Sequence, residues 1–133
     1  MSGLVADTHA AVWYLLSSPR LSAKAGSSIK DAIEAEAPVY VSAVSVVEVI
    51  YLVEKGRLPR LALERLMGEL TSEDSGLVVA ALDLTVAEAL RRVPRDDVPD
   101  MPDRIIAATA RRLGLPLVTR DGKIRSSGIE TVW

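Results

Sequence analysis

The chain reads as an α/β protein, a three-layer α/β/α sandwich around a central, mainly parallel sheet, and three observations predict this. Short apolar, β-rich runs alternate along the chain with longer stretches of helical periodicity. That alternation argues for a parallel sheet covered on both faces, and right-handed crossovers then make three layers. The length, 133 residues with 49% hydrophobic side chains, suits one domain with one core over 1–133. No repeat, low-complexity tract or long linker divides it.

The elements follow in order. "LVAD" (4–7) is an apolar run ending in an acid and reads as the first strand; "HAAVWYLLS" after it reads as helix. The segment 22–37 is a second helix with Ser22 as N-cap. Pro38 breaks it, and "VYVSA" (39–43) is the second strand. "SVVEVIYLVEKG" reads as a helix closed by Gly56, and Pro59 opens another to about Leu70. "GLVVAALD" (76–83) is the third strand, and "TVAEALRRV" a short helix capped by Thr85. A Pro- and Asp-rich loop spans 94–102. Pro102 starts the next helix, Gly114 ends it, "LPLVT" (115–119) is a strand, and "TVW" (131–133) closes with a last short one. The predicted order is β-α-α-β-α-α-β-α-α-β-(α)-β.

Composition removes several function classes. The chain has no cysteine, so disulfides, thiolate metal sites and cysteine nucleophiles are excluded. No run reaches the ~18 apolar residues of a membrane span. "MSGLVADTHAAVWYLL" lacks a basic start and carries Asp7 in its apolar part, unlike a signal peptide. The net charge of −2 does not mark a nucleic-acid binder. One stretch differs: Arg104, Arg111, Arg112, Arg120, Lys123 and Arg125 are interrupted by a single acid, Asp121. They read either as a solvated face or as phosphate contacts.

Ligands of open α/β sheets bind beyond the carboxyl ends of the strands. Asp7 ends the first strand and Asp121 follows "LPLVT". Glu48 lies in the first turns of the helix after "VYVSA", and Asp103 in the first turn of the helix that returns to "LPLVT". Four acids from distant segments are therefore expected on one rim. Steps of three, four and seven from Asp103 reach Ile106, Ala107 and Ala110, which puts it on the inward face, with Arg104, Ala108, Arg111 and Arg112 on the other. Glu48 sits in a helix that is apolar nearly all round, where a carboxylate needs a partner or a cation. Each acid also has an ordinary reading: Asp7 as a helix cap, Glu48 as half of an ion pair, Asp103 as a helix-dipole partner, Asp121 as a turn residue. Together they favour an oxygen-only site suited to Mg²⁺ or Mn²⁺. Thr8, Ser45 and Thr119 are placed to hold carboxylates or waters. Asp100 is the loop acid best placed to reach the site, and Arg104 and Arg120 are candidate contacts to a phosphate backbone. His9, the only histidine, reads as a helix-start residue or a phosphate contact, and Trp13, Tyr14 and Leu15 as core or as a partner surface. Clustered carboxylates of this kind suit metal-assisted phosphodiester hydrolysis without a covalent nucleophile.

The motifs "LVADTHAAVW", "VYVSAVSVVEV", "DMPDRIIAATARRLGLPLVTRDGKI" and the closing "TVW" resemble those of PIN-domain proteins, of the toxin type found in VapBC toxin–antitoxin pairs. The resemblance covers almost the whole chain, and its frame D…E…D-x-x-D-R…T-x-D is specific in this order. It implies Asp7, Glu48 and Asp103 as the core metal acids and Asp121 as a fourth. It implies a Mg²⁺- or Mn²⁺-dependent endoribonuclease of the cytoplasm, a homodimer, and a cognate VapB-type antitoxin that blocks the site. The chain departs from the pattern at Pro102, where relatives often carry Phe.

Rival readings remain at this level. A receiver-like phosphoacceptor domain would use Asp83 and Lys123 but wants an acidic pair at the first strand, where only Asp7 stands. A dehalogenase-like phosphatase needs D-x-D, and the chain has Asp7-Thr8-His9. A catalytically inactive PIN fold used as an interaction module is the third.

Overall fold

The computed structural model describes residues 2–133. Five strands, β1 (Leu4–Ala6), β2 (Val39–Ser42), β3 (Leu77–Ala80), β4 (Leu117–Val118) and β5 (Thr131–Val132), form one sheet in the order β3-β2-β1-β4-β5. Every pairing is parallel, with Ala6 opposite Val41 on one side and Val118 on the other. Seven helices connect them: α1 (Thr8–Leu15), α2 (Ala23–Glu34), α3 (Ala43–Glu54), α4 (Arg60–Thr71), α5 (Leu84–Ala89), α6 (Met101–Leu113) and α7 (Gly122–Ser126). A 3-10 turn, Leu90–Arg92, follows α5. The order of elements is the predicted one.

Strand residues alternate between the two faces, as a pleated strand must. Leu4, Ala6 and Val118 point to one face and join a core with α1, α2, α3 and α4. Val5 and Leu117 point to the other and join Val86 of α5, Ile124 of α7 and the buried row Ile105–Ala110 of α6. Two cores on opposite faces are what make the sandwich three-layered. At the amino edge, Gly3 has φ +97, and a Cβ there would meet the Pro38 carbonyl oxygen at 2.3 Å, so only glycine lets β1 start so close to β2.

The helix ends follow local chemistry. The Ser22 hydroxyl accepts from Ala25 N–H at 3.1 Å. Gly114, at φ 67, terminates α6 in the left-handed conformation. Three expectations are corrected. The cap of α5 is Asp83, which accepts from Val86 N–H at 3.0 Å, while Thr85 donates its hydroxyl to Asp83 at 2.7 Å. A carboxylate can accept both bonds, so it displaces the threonine from the capping role. The helix α6 starts at Met101 behind Asp100, one residue before Pro102. Its face carrying Arg104 and Ala108 does not look outward: Ala108 is fully buried. The cause is a second cover on α6, made by α5, the 3-10 turn and Val93.

Candidate metal centre at the carboxyl edge of the sheet

The strand order reverses direction between β1 and β4, the position where open α/β sheets form a ligand crevice. Two of the four predicted acids stand there because their strands end there. Asp7 follows β1 and caps α1, its Oδ1 accepting from Ala10 N–H at 2.8 Å. Asp121 follows β4 and caps α7, accepting from Lys123 N–H at 2.9 Å. The capping reading of Asp7 is therefore correct, Asp121 caps α7 where the sequence predicts a turn residue, and both residues also line one cavity of about 410 Å³. Asp103 is the third acid in its wall. The same cavity is also lined by His9, Trp13, Trp133, Arg20 and Arg120.

Glu48 comes from α3, on the neighbouring strand's crossover. Thr8 Oγ1 lies 2.6 Å from Glu48 Oε1 and 2.8 Å from Ser45 Oγ. Thr8 has one hydroxyl proton and a carboxylate only accepts, so the Thr8 proton goes to Glu48 and Ser45 donates into Thr8. This chain of buried hydroxyls holds the carboxylate from below. In its largely apolar helix Glu48 needs a partner, as the sequence predicts, and Thr8 is that partner. Glu48 is half-buried, and Val47, Ile50 and Tyr51 of the same helix are exposed.

The electrostatics tie the acids together. The Asp103 carboxyl is pushed up from 3.8 to about 7, first by burial and then by the charges of Asp100, Glu48, Asp121 and Asp7. Asp7 is also raised, by burial foremost, against hydrogen bonds from Thr119 and Ala10 and the charge of His9. Thr119 is buried, and its Oγ1 also accepts from Asp121 N–H at 3.1 Å, so one threonine serves both acids. None of these carboxylates has a cationic partner: among the described residues the single ion pair is Arg91 with Glu88, elsewhere on the surface. Like charges this close favour a counter-ion or a retained proton.

The donor set is all oxygen, which fits a hard divalent cation. Among the described residues no three acids or imidazoles are close enough together to chelate one ion directly. Carboxylates without a counter-charge push apart, and Mg²⁺ keeps several of its waters, so the set fits a hydrated ion rather than a closed protein cage.

The remaining predicted residues separate. Asp100 caps α6 with a long 3.4 Å contact to Asp103 N–H and adds its charge to the site. Arg104 is not free to meet RNA: Nε donates to Val93 O at 2.9 Å and an Nη to Leu90 O at 3.0 Å, which pins the loop before α6. Arg125 donates to Thr131, and Arg111 and Arg112 line other clefts. Of the basic stretch only Arg120 lines the acid cavity. Trp13 is buried, and Arg20 and Trp133 had carried no site reading in the sequence. Arg20 sits in a Ser- and Pro-containing loop outside every motif, and Trp133 follows β5 at the end of the closing "TVW", a motif that carries no site role by itself.

The family model described as "PIN domain" matches residues 4–128, and the chain belongs to the PIN-domain family. It is 31% identical over 126 residues to Ribonuclease VapC22 of Mycobacterium tuberculosis, covering 95% of this chain and 92% of that protein. With that relative it falls in the VapC type of PIN-domain proteins. Solved structures share the fold. VapBC2 from Rickettsia felis, bound to a DNA fragment from its promoter, aligns at TM-score 0.72 and 14% identity over 97% of this chain and 96% of that one. FitAcB from Neisseria gonorrhoeae aligns at 0.64 and 21% identity, over 96% and 95%. A toxin–antitoxin complex from Klebsiella pneumoniae aligns at 0.59 and 24% identity, over 90% and 88%.

Proposed function

We propose that the chain is a metal-dependent endoribonuclease, the toxin of a type II toxin–antitoxin pair, acting in the cytoplasm. One observation carries the reading: acids from four separate segments reach one rim without an ion-pair partner among the described residues, and burial and the charges of the others raise Asp103 to about 7. Asp7, Glu48, Asp103 and Asp121 would hold Mg²⁺ or Mn²⁺. When bound, that ion supplies a nucleophilic water near neutral pH and neutralises charge building at the scissile phosphate. The protein's own part is positioning. Thr8 and Ser45 fix the Glu48 carboxylate, and Thr119 and the α1 amide of Ala10 fix Asp7. Burial and the neighbouring acids raise the Asp103 carboxyl to about 7, and a bound cation would favour its ionised form. No residue of the set has to act as a covalent nucleophile.

Partners are part of the proposal. The relative named a ribonuclease and the neighbours described as toxin–antitoxin complexes support an RNA substrate and a VapB-type antitoxin. The exposed apolar side chains Val47, Ile50 and Tyr51 on α3, with Leu61 and Met67 on α4, offer surface for a homodimer or that antitoxin. No helix is long and apolar enough to cross a membrane among the described residues.

The test is cleavage of total bacterial RNA by the purified, antitoxin-free chain with Mg²⁺, Mn²⁺ or EDTA. Fragments that need metal and vanish in Asp103→Asn are expected. Cleavage that persists in EDTA refutes the reading.

A further inference from the structure

The cavity at β1 and β4 has two unlike halves. The acidic half belongs to the proposed metal site. The other half is made of aromatic rings and arginines, and the metal chemistry does not use it. Trp13 is its floor, buried at 7% exposure. Three groups flank that indole: the His9 ring at 5.4 Å between centroids, the Trp133 ring at 5.9 Å and 62°, and the Arg120 guanidinium at 5.1 Å from the centroid. The guanidinium is within cation–π range, so it is held in place without losing its hydrogen-bonding edges. Arg20 enters the same cavity from the loop between α1 and α2. Both arginines are exposed, and neither forms an ion pair with the three acids of the same lining.

We infer that this half is a nucleotide subsite for single-stranded RNA. One base beside the scissile bond stacks against His9 and Trp133, and Arg20 and Arg120 hold a neighbouring phosphate. Aromatic stacking next to cations is how proteins grip unpaired strands of any sequence. The cavity, about 410 Å³, falls within the ~300–1,000 Å³ of pockets that take small ligands, room for one nucleotide beside the metal acids. The acids alone would repel a polyanion. Two unpaired arginines in the same lining give the backbone cationic contacts in the cavity that also holds the acids. The inference rests on the ribonuclease reading for its direction, from the bound base toward the cut.

The experiment measures binding rather than turnover. A fluorescent single-stranded RNA hexamer of mixed sequence and an abasic hexamer of the same charge are titrated into the full chain in EDTA. The variants are His9→Ala, Trp133→Leu, Trp133→Phe, Arg20→Gln and Arg120→Gln, each checked for an unchanged melting profile. The RNA hexamer should lose about tenfold in affinity with Trp133→Leu and recover with Trp133→Phe, while the abasic hexamer is unmoved. His9→Ala and Arg20→Gln, at exposed positions, keep the test valid should Trp133→Leu unfold. Each arginine variant should weaken both hexamers and lower the salt slope by roughly 0.7. Variants that bind both hexamers like the wild type overturn the subsite, as does a wild type that binds neither, or one that prefers an acidic hexaglutamate peptide. Cleavage of total RNA is scored separately. Its absence refutes the ribonuclease reading and leaves the binding result standing.

Discussion

Asp7 and Asp83 begin with the same local job and end with different ones. Each stands just beyond a parallel strand and caps the following helix, Asp7 on Ala10 N–H and Asp83 on Val86 N–H. Asp83 follows β3, the edge strand, and is exposed; its carboxyl is held below the ordinary range by the Thr85 hydroxyl and the Val86 amide. Asp7 follows β1, the central strand, where the order reverses, and burial raises its carboxyl despite the same kind of cap. A capping signal is therefore silent about function. Sheet position decides whether a cap is only a cap. The geometry also weakens the receiver-like reading, since β2 separates the end that carries Asp83 from the end that carries Asp7.

The contrast can be broken or sharpened experimentally, starting with the largest effect. Asp103→Asn should lower RNA cleavage by more than the roughly 10–100-fold seen for groups that only orient a metal ligand. A smaller loss, read from initial rates, would demote Asp103 to a neighbour of the site. Thr8→Val keeps the shape but removes the hydroxyl proton that Glu48 accepts. Mn²⁺ affinity by calorimetry should fall by about 10–100-fold with the melting temperature little changed. Unchanged affinity would show that Glu48 does not depend on its threonine.

A pH effect comes next. In the metal-free protein the folded state holds a proton on Asp103 up to about pH 7, while the unfolded chain releases it near 3.8. The stability contributed by Asp103 should therefore be fully present below about pH 4, fall as pH rises toward 7, and be gone above. Thermal melts of Asp103→Asn should show a shallower slope, with the raised Asp7 leaving a remainder of the same sign. A wild type and Asp103→Asn with the same pH slope would contradict the assigned burial. The smallest effect belongs to Asp83→Ala: a drop on the order of a few degrees in melting temperature from the lost cap, with cleavage unchanged. A cleavage defect there would erase the distinction between the two aspartates.

Much of this was legible before any coordinates. The alternation of apolar runs and helical stretches predicts all five strands and their order along the chain, because buried parallel strands are short, apolar and separated by crossovers. The four acids were legible because strand and helix starts share one edge in such a fold. What stayed hidden depends on neighbours that only the folded chain supplies. Periodicity puts Arg104 on an outer face, yet the 3-10 turn and Val93 cover it and take both of its donors. The apolar run around Glu48 reads as buried, yet part of it faces water. The aromatic and arginine half of the cavity joins positions 9, 13, 20, 120 and 133, too scattered for any spacing rule to connect.

We propose that sheet position, not capping, makes Asp7 a metal acid. Mn²⁺ calorimetry on the wild type, Asp7→Asn and Asp83→Asn tests it most directly, because asparagine caps a helix as well as aspartate and spares the fold. The account predicts that wild type and Asp83→Asn bind alike and that Asp7→Asn loses binding. Equal binding by Asp7→Asn and the wild type would contradict it.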